Sequence, residues 1–226
     1  MRSPARWSGR TLVALLIGGL LIAGLPSPAL ASPIRGGLDY YRTFPSSRHG
    51  FTPNDIRSGF FDTGSAPFVG TVILTGVPLD PMETGSADTI VRRMETARFP
   101  HPFPSSDTVP IEMVALSLRS TSPITVTYIG RTKLWDMTVT LSPGAQLVGS
   151  MTITHATNDG GTWNATLPVL ARYTFIRRTD GRTVMLDEGR DDLIAQGDPG
   201  VSWEHGGHAE PDHLQPLLFE LPGRPG

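Results

Sequence analysis

From residue 134 onward, apolar side chains recur at every second position. Over 134–141, Trp135, Met137, Val139 and Leu141 alternate with Asp136, Thr138 and Thr140. Successive side chains of a strand point to opposite faces, so this is a strand with one buried and one wet face. Residues 149–155 repeat the pattern, with Met151 and Ile153 inward and Thr152 and Thr154 outward. Trp163, Ala165 and Leu167 come next, then Val169, Ala171, Tyr173 and Phe175. The TNDGG stretch at 157–161 and Asp180-Gly181 between these runs supply turn residues that tolerate positive φ. Residues 183–186 read as a returning strand. Earlier, FVGTVIL at 68–74 is a β-branched run ended by Gly76 and Pro78.

The chain is organised around 109–126, VPIEMVALSLRSTSPITV. From Pro110 to Leu118 nearly every residue is apolar or small, and Glu112 is the one charge. The pattern predicts a strand covered on both sides, with Ile111, Met113 and Ala115 facing one way and Val114, Leu116 and Leu118 the other. A short buried helix is the alternative, confined by Pro110 and Pro123. Residues 88–99 fit either a strand or a helix; the all-β character of the chain from Val109 onward favours strand. The segment 32–65 mixes Gly and Pro with Tyr40, Tyr41, Phe44, Phe51, Phe60 and Phe61. It is expected to be an irregular, packed lead-in that contributes an edge strand. Tyr40 and Tyr41 serve as core or loop anchors, with sugar stacking as the alternative. Short strands, regular turns and no long helix give the expected fold: all-β, an antiparallel β-sandwich or open barrel with an irregular N-terminal lead-in and an extended C-terminal tail.

The first 31 residues have the layout of a secretory signal. Arg2, Arg6 and Arg10 precede an apolar run over 11–25, and Ala29-Leu30-Ala31 fits the small-residue cleavage pattern. The run is shorter than the roughly 20 residues of a membrane span. The expected organisation is a signal peptide at 1–31, one β domain at 32–186 and an acidic tail at 187–226. The mature protein would be secreted or periplasmic, exported by the general secretory route and without a stable membrane anchor.

Composition narrows the chemistry. The chain has no cysteine, which excludes disulfides, thiolate metal sites and a cysteine nucleophile. Without the three signal arginines, 16 basic residues stand against 21 acidic ones, so nucleic acid is not an expected partner. No Gly-x-Ser-x-Gly elbow, phosphate loop, dinucleotide fingerprint or His-Glu-x-x-His is present. Glu112 and Asp136 are the catalytic candidates, as a glycosidase pair if they face one cleft. The competing reading of Glu112 is a core charge neutralised by Arg92, Arg93 or Arg119. Oxygen-rich stretches at Asn158-Asp159 and 187–192 are calcium candidates without EF-hand spacing. His205, His208 and His213 lie among acidic residues in WEHGGHAEPDH, a ligand set suited to zinc or copper.

Residues 88–126, with SSDTVPIEMVALSLRSTSPI, the later GSMTIT, and Trp203-Glu204-His205 with His213 resemble exported bacterial proteins to which no activity is attached. The resemblance implies secretion and a β-rich fold, and it carries no cofactor or site residue. The function expected is therefore a non-enzymatic surface, matrix or binding module of unassigned ligand. The alternatives are an extracellular polysaccharide hydrolase using Glu112 and Asp136, and a metal-binding exported protein using the histidines.

If the histidines form a native site, zinc or copper binds with defined stoichiometry and raises thermal stability. Binding weakens as imidazole protonates near pH 6.5, and the His205→Ala/His208→Ala double variant loses both effects. Calorimetry on metal-stripped protein checks this, and a dissociation constant weaker than about 10 μM leaves the cluster a solvated tail.

Overall fold

A computed structural model describes residues 33–45, 47–100, 102–157, 160–187, 193–197, 201–204 and 215–220. The described part contains strands and no helix. They are β1 (Gly37–Thr43), β2 (Arg48–Phe51), β3 (Gly70–Gly76), β4 (Thr89–Arg93), β5 (Ser105–Ser120), β6 (Ile124–Tyr128) and β7 (Arg131–Leu141). They continue with β8 (Val148–His155), β9 (Gly160–Val169), β10 (Ala171–Arg177), β11 (Thr183–Leu186), β12 (Leu193–Gly197), β13 (Val201–Glu204) and β14 (Gln215–Glu220). The protein is all-β and antiparallel, as its hydrophobic alternation predicts; β1 with β14 is the one parallel pairing among the described strands.

Strand β5 joins two halves of the sheet. Its first part pairs with β8 on one side and, from Ile111 to Leu116, with β4 on the other. Its last residues pair instead with β7 and β3. The change of partners coincides with a bulge: Ile90 stands opposite Ala115 but Val91 opposite Met113, so Val114 is the extra residue. Strict alternation across 109–118 is therefore broken. Val109, Ile111 and Met113 are buried before the bulge and Leu116 and Leu118 after it, whereas Val114 and Ala115 are only half-buried. The expected two-faced division of Ile111, Met113 and Ala115 against Val114, Leu116 and Leu118 is corrected accordingly. One extra residue inverts the parity of the strand and lets both halves face inward.

The first half packs β4, β8 and β9 around Val91, Met151, Ile153, Trp163, Ala165 and Leu167, all buried. Tyr41 of β1 is also buried there, its ring 5.5 Å from that of Trp163. Tyr41 is thus a core anchor and not part of a sugar platform. The second half is aromatic. Phe61 meets Trp135 at 4.9 Å and Phe175 at 5.3 Å between ring centres, in tilted and edge-on geometries. Ile56, Phe51 and Phe61 come from the irregular lead-in and are buried, so this segment closes one side of the second core. Of residues 88–99, Thr89–Arg93 form β4, the rest are irregular, and none is helical.

The twelve strands other than β12 and β14 form a sheet that is not closed. Strand β12 pairs with β9, β14 pairs with β12, and β14 also pairs with β1. Parts of 187–226 are thereby laid along the domain.

A clasp secures the start of β4. The Asp88 carboxylate accepts hydrogen bonds at 2.8 Å from the Thr43 amide, the Thr43 hydroxyl and the Thr89 hydroxyl. Its own amide donates to Tyr41 O and its carbonyl accepts from Ser117 N. Asp88 thus links β1, β4 and β5. Burial pushes its carboxyl pKa up, against the lowering effect of the threonine hydrogen bonds. Gly76 makes room for it, because a Cβ there would lie 1.6 Å from Asp88 Oδ2. Gly76→Ala should therefore cost on the order of 3 kcal/mol or more by evicting the carboxylate from its partners. It should cost measurably less in an Asp88→Ala background. Urea denaturation of the two single variants and the double variant checks this; additive losses would remove the coupling.

Candidate functional site: a polar groove on the outer face of the shared strand

Beyond the bulge, the outward positions of β5 are no longer apolar. Arg119 points to solvent, with Thr75 of β3 opposite it on one side and Thr138 of β7 on the other. These side chains, the Ser120–Ser122 corner, Asp136 and Arg178 enclose an open groove of about 520 Å³. Asp136 is held by Arg178, whose Nε lies 2.9 Å from both carboxylate oxygens and whose Nη2 lies 2.8 Å from Oδ1. Ser120 Oγ accepts from the Met137 amide at 3.2 Å. Arg119 has no ion-pair partner among the described residues. The groove therefore presents one uncommitted guanidinium within a rim of hydroxyl groups.

Next to it, the ladder between the β3 segment and β6 comes apart. Thr121 N donates to Ile73 O at 3.0 Å and Ala66 N donates to Thr127 O at 2.8 Å, but the stretch between these bonds is splayed. Pro67 and Pro123, one on each chain segment, have no N–H to close it. Opposite β7, Ser122 and Pro123 are extra residues: extending the β5 register places Thr121 level with Asp136, and Ile124 is already level with Trp135. The opening is a second groove of about 350 Å³, floored by Val72 and Ile124 and flanked by exposed Val69 and Ile73. By contrast, the void inside the first half, lined by Tyr41, Val91, Ile111, Met151, Ala165, Leu167 and Ala195, does not admit a water molecule.

The two catalytic candidates are not brought together. Glu112 lies before the bulge, half-buried, opposite Arg92, with Arg92 Nη1 3.5 Å from its Oε2. Arg93 is taken by Asp39, at 2.6 Å and 3.0 Å, and Arg119 lies in the other half. The β5 register puts Asp136 level with Thr121, nine positions from Glu112 and roughly 25–30 Å along the strand. Carboxylates flanking one glycosidic bond are about 5–9.5 Å apart, so Glu112 and Asp136 do not form such a pair. The histidines His205, His208 and His213 and the pair Asn158-Asp159 lie outside the described residues, and among the described residues no three potential ligands gather at a metal-binding distance. Of the other calcium candidate, 187–192, Asp187 is described, and it is committed to Ser142 Oγ and to Arg172 Nε at 2.7 Å.

Several other ionisable groups are tied into the fold. Arg177 lies over the Trp135 ring and bridges Asp62 and Asp180, while Lys133 reaches Asp62 at 3.0 Å. The Arg177 hydrogen bond holds the Asp180 pKa down to about 2. Burial pushes the Asp62 carboxyl up, but the hydrogen bonds from Lys133 and Arg177 outweigh it and leave the pKa below its usual value. His49 is buried between Phe51 and Tyr173, stacked on the latter, and burial pushes its pKa down to about 4.

In the sequence, Arg119 stands out only as a candidate partner for Glu112, and nothing marks Arg178. The signal that could have found the groove is the row of outward Thr and Arg positions on three paired strands. That pairing is not a property of any one segment. Comparison with family models, curated proteins and solved structures finds no match for the chain.

The buried histidine generates a pH prediction. His49 is neutral in the fold and has a folded pKa below its unfolded value. Its contribution is therefore complete above about pH 6.5 and is lost as pH falls through about 4. Stability should drop on the order of 2–3 kcal/mol across that window. The drop should be flattened in His49→Phe, leaving the loss below pH 4 that comes from Asp62, Asp180 and Asp187. Thermal melts from pH 7 to 3 check this, and an unchanged profile in the variant assigns the transition elsewhere.

Proposed function

We propose that this chain is an exported, non-enzymatic β module that binds an acidic extracellular polymer through the Arg119 groove. Export rests on the N-terminal signal pattern. The observation that carries the binding reading is the state of the charges at the groove. Asp136 is neutralised by Arg178, which leaves no free carboxylate for general acid–base chemistry, while Arg119 stays uncommitted. A guanidinium offers up to five N–H donors in a planar fork suited to carboxylate, sulfate or phosphate oxygens. Thr75, Thr121, Ser122 and Thr138 add hydroxyl donors around it. The separation of Glu112 from Asp136 works against the polysaccharide hydrolase reading.

Titration with an acidic polysaccharide such as polygalacturonate tests the reading. Binding should weaken as salt rises, Arg119→Ala should lose about tenfold in affinity, and Arg119→Lys should retain part of it. Equal binding by wild type and Arg119→Ala removes the groove from the function. Glycan turnover abolished by both Glu112→Gln and Asp136→Asn, with folding intact, overturns the non-enzymatic assignment.

A further inference from the structure

The outward face of β5, β8 and β9 carries a different surface, on the other side of the bulge from Arg119. Ser106 stands opposite Thr154, and Thr154 opposite Thr162. Thr108 faces Thr152, which faces Asn164, and Pro110 faces Ser150, which faces Thr166. Nine positions thus form three rows across three strands. Eight of them bear a hydroxyl or an amide, and none bears a charge. The alternate residues, such as Val109, Met151, Ile153 and Trp163, are buried, so the nine side chains face solvent.

The spacing of this grid is set by the sheet: roughly 4.8 Å from strand to strand and about 6.7 Å between alternate residues of one strand. The side chains are also ordered among themselves. Ser106 Oγ lies 2.8 Å from Thr154 Oγ1, and Thr108 Oγ1 lies 2.9 Å from Thr152 Oγ1. Each hydroxyl can donate once and accept twice, so each bonded pair still presents one donor and several lone pairs to a ligand. Threonine is stiff about χ1, so little side-chain freedom is left to lose on binding.

We propose that this face binds a neutral, extended polysaccharide lying across the strands with about one sugar ring per strand. An anionic ligand would require a counter-charge, which the grid does not have. A peptide adding as a strand would require a free strand edge, and the grid offers a face. A neutral polyol needs neighbouring hydroxyls that both donate and accept, at a repeat close to the length of one ring in an extended β-linked chain. The extracellular setting of such a ligand rests on the export proposed above; the site itself is independent of the Arg119 groove.

Adsorption of the purified protein to insoluble cellulose, β-1,3-glucan, chitin and starch, at low and high salt, tests the assignment. Wild type should adsorb to at least one of these with little dependence on salt. Thr152→Glu should bind at least tenfold more weakly. Thr108→Val/Thr152→Val keeps the side-chain shape and removes two hydroxyls, so it decides the matter should Thr152→Glu fail to fold; it too should bind more weakly. No adsorption to any of the four glycans overturns the proposal, as does undiminished adsorption of the double valine variant. Adsorption lost in Arg119→Ala but kept in the grid variants overturns the grid and leaves the groove standing.

Discussion

Burial on a strand repeats every two residues, and β5 has to bury side chains in two different packings along one run of backbone. A regular strand would carry the parity of Val109, Ile111 and Met113 straight through, leaving Leu116 and Leu118 on the wet side. The extra residue at Val114 resolves this by shifting the count by one. The partners change around it: β8 pairs before the bulge, β4 spans it, and β3 and β7 pair after it. Both halves of the core depend on that one inversion, and so do the two outward faces, which it separates in character as well as in position.

Charge is distributed in the same economical way. Arg92 meets Glu112, Arg93 meets Asp39, Arg177 bridges Asp62 and Asp180, and Arg178 meets Asp136. Most of these pairs bind segments together that are far apart in sequence. Of the two outward faces of β5, one carries the Arg119 guanidinium and the other an uncharged field of hydroxyls.

The fold was legible because it rests on local periodicity. Trp135, Met137 and Val139, or Trp163, Ala165 and Leu167, announce their buried face without reference to any other segment, and all of them are buried. The lead-in was legible from its aromatics, and Tyr41, Phe51 and Phe61 are in the core. The bulge was not legible, because Val114 and Ala115 are as apolar as their neighbours and only the register with Ile90 and Val91 exposes the extra residue. The groove and the hydroxyl grid were hidden for the same reason. Thr75, Arg119 and Thr138 belong to three separate segments, and pairing, which sequence alternation leaves open, puts them side by side. Glu112 and Asp136 drew attention by being charged among apolar neighbours, yet each has its own arginine.

The placement of β12 and β14 bears on how the molecule comes together. Tyr41, near the start of the described chain, pairs with Gln215, near its end. Joining such distant segments requires closing a very long loop before any contact repays it, and topologies of this kind fold slowly. Until β12 and β14 arrive, β1 and the second half of β9 each present an unpaired edge, the kind of surface on which chains associate with one another. Strands β12 and β14 therefore set the interval during which the rest of the sheet is vulnerable to aggregation.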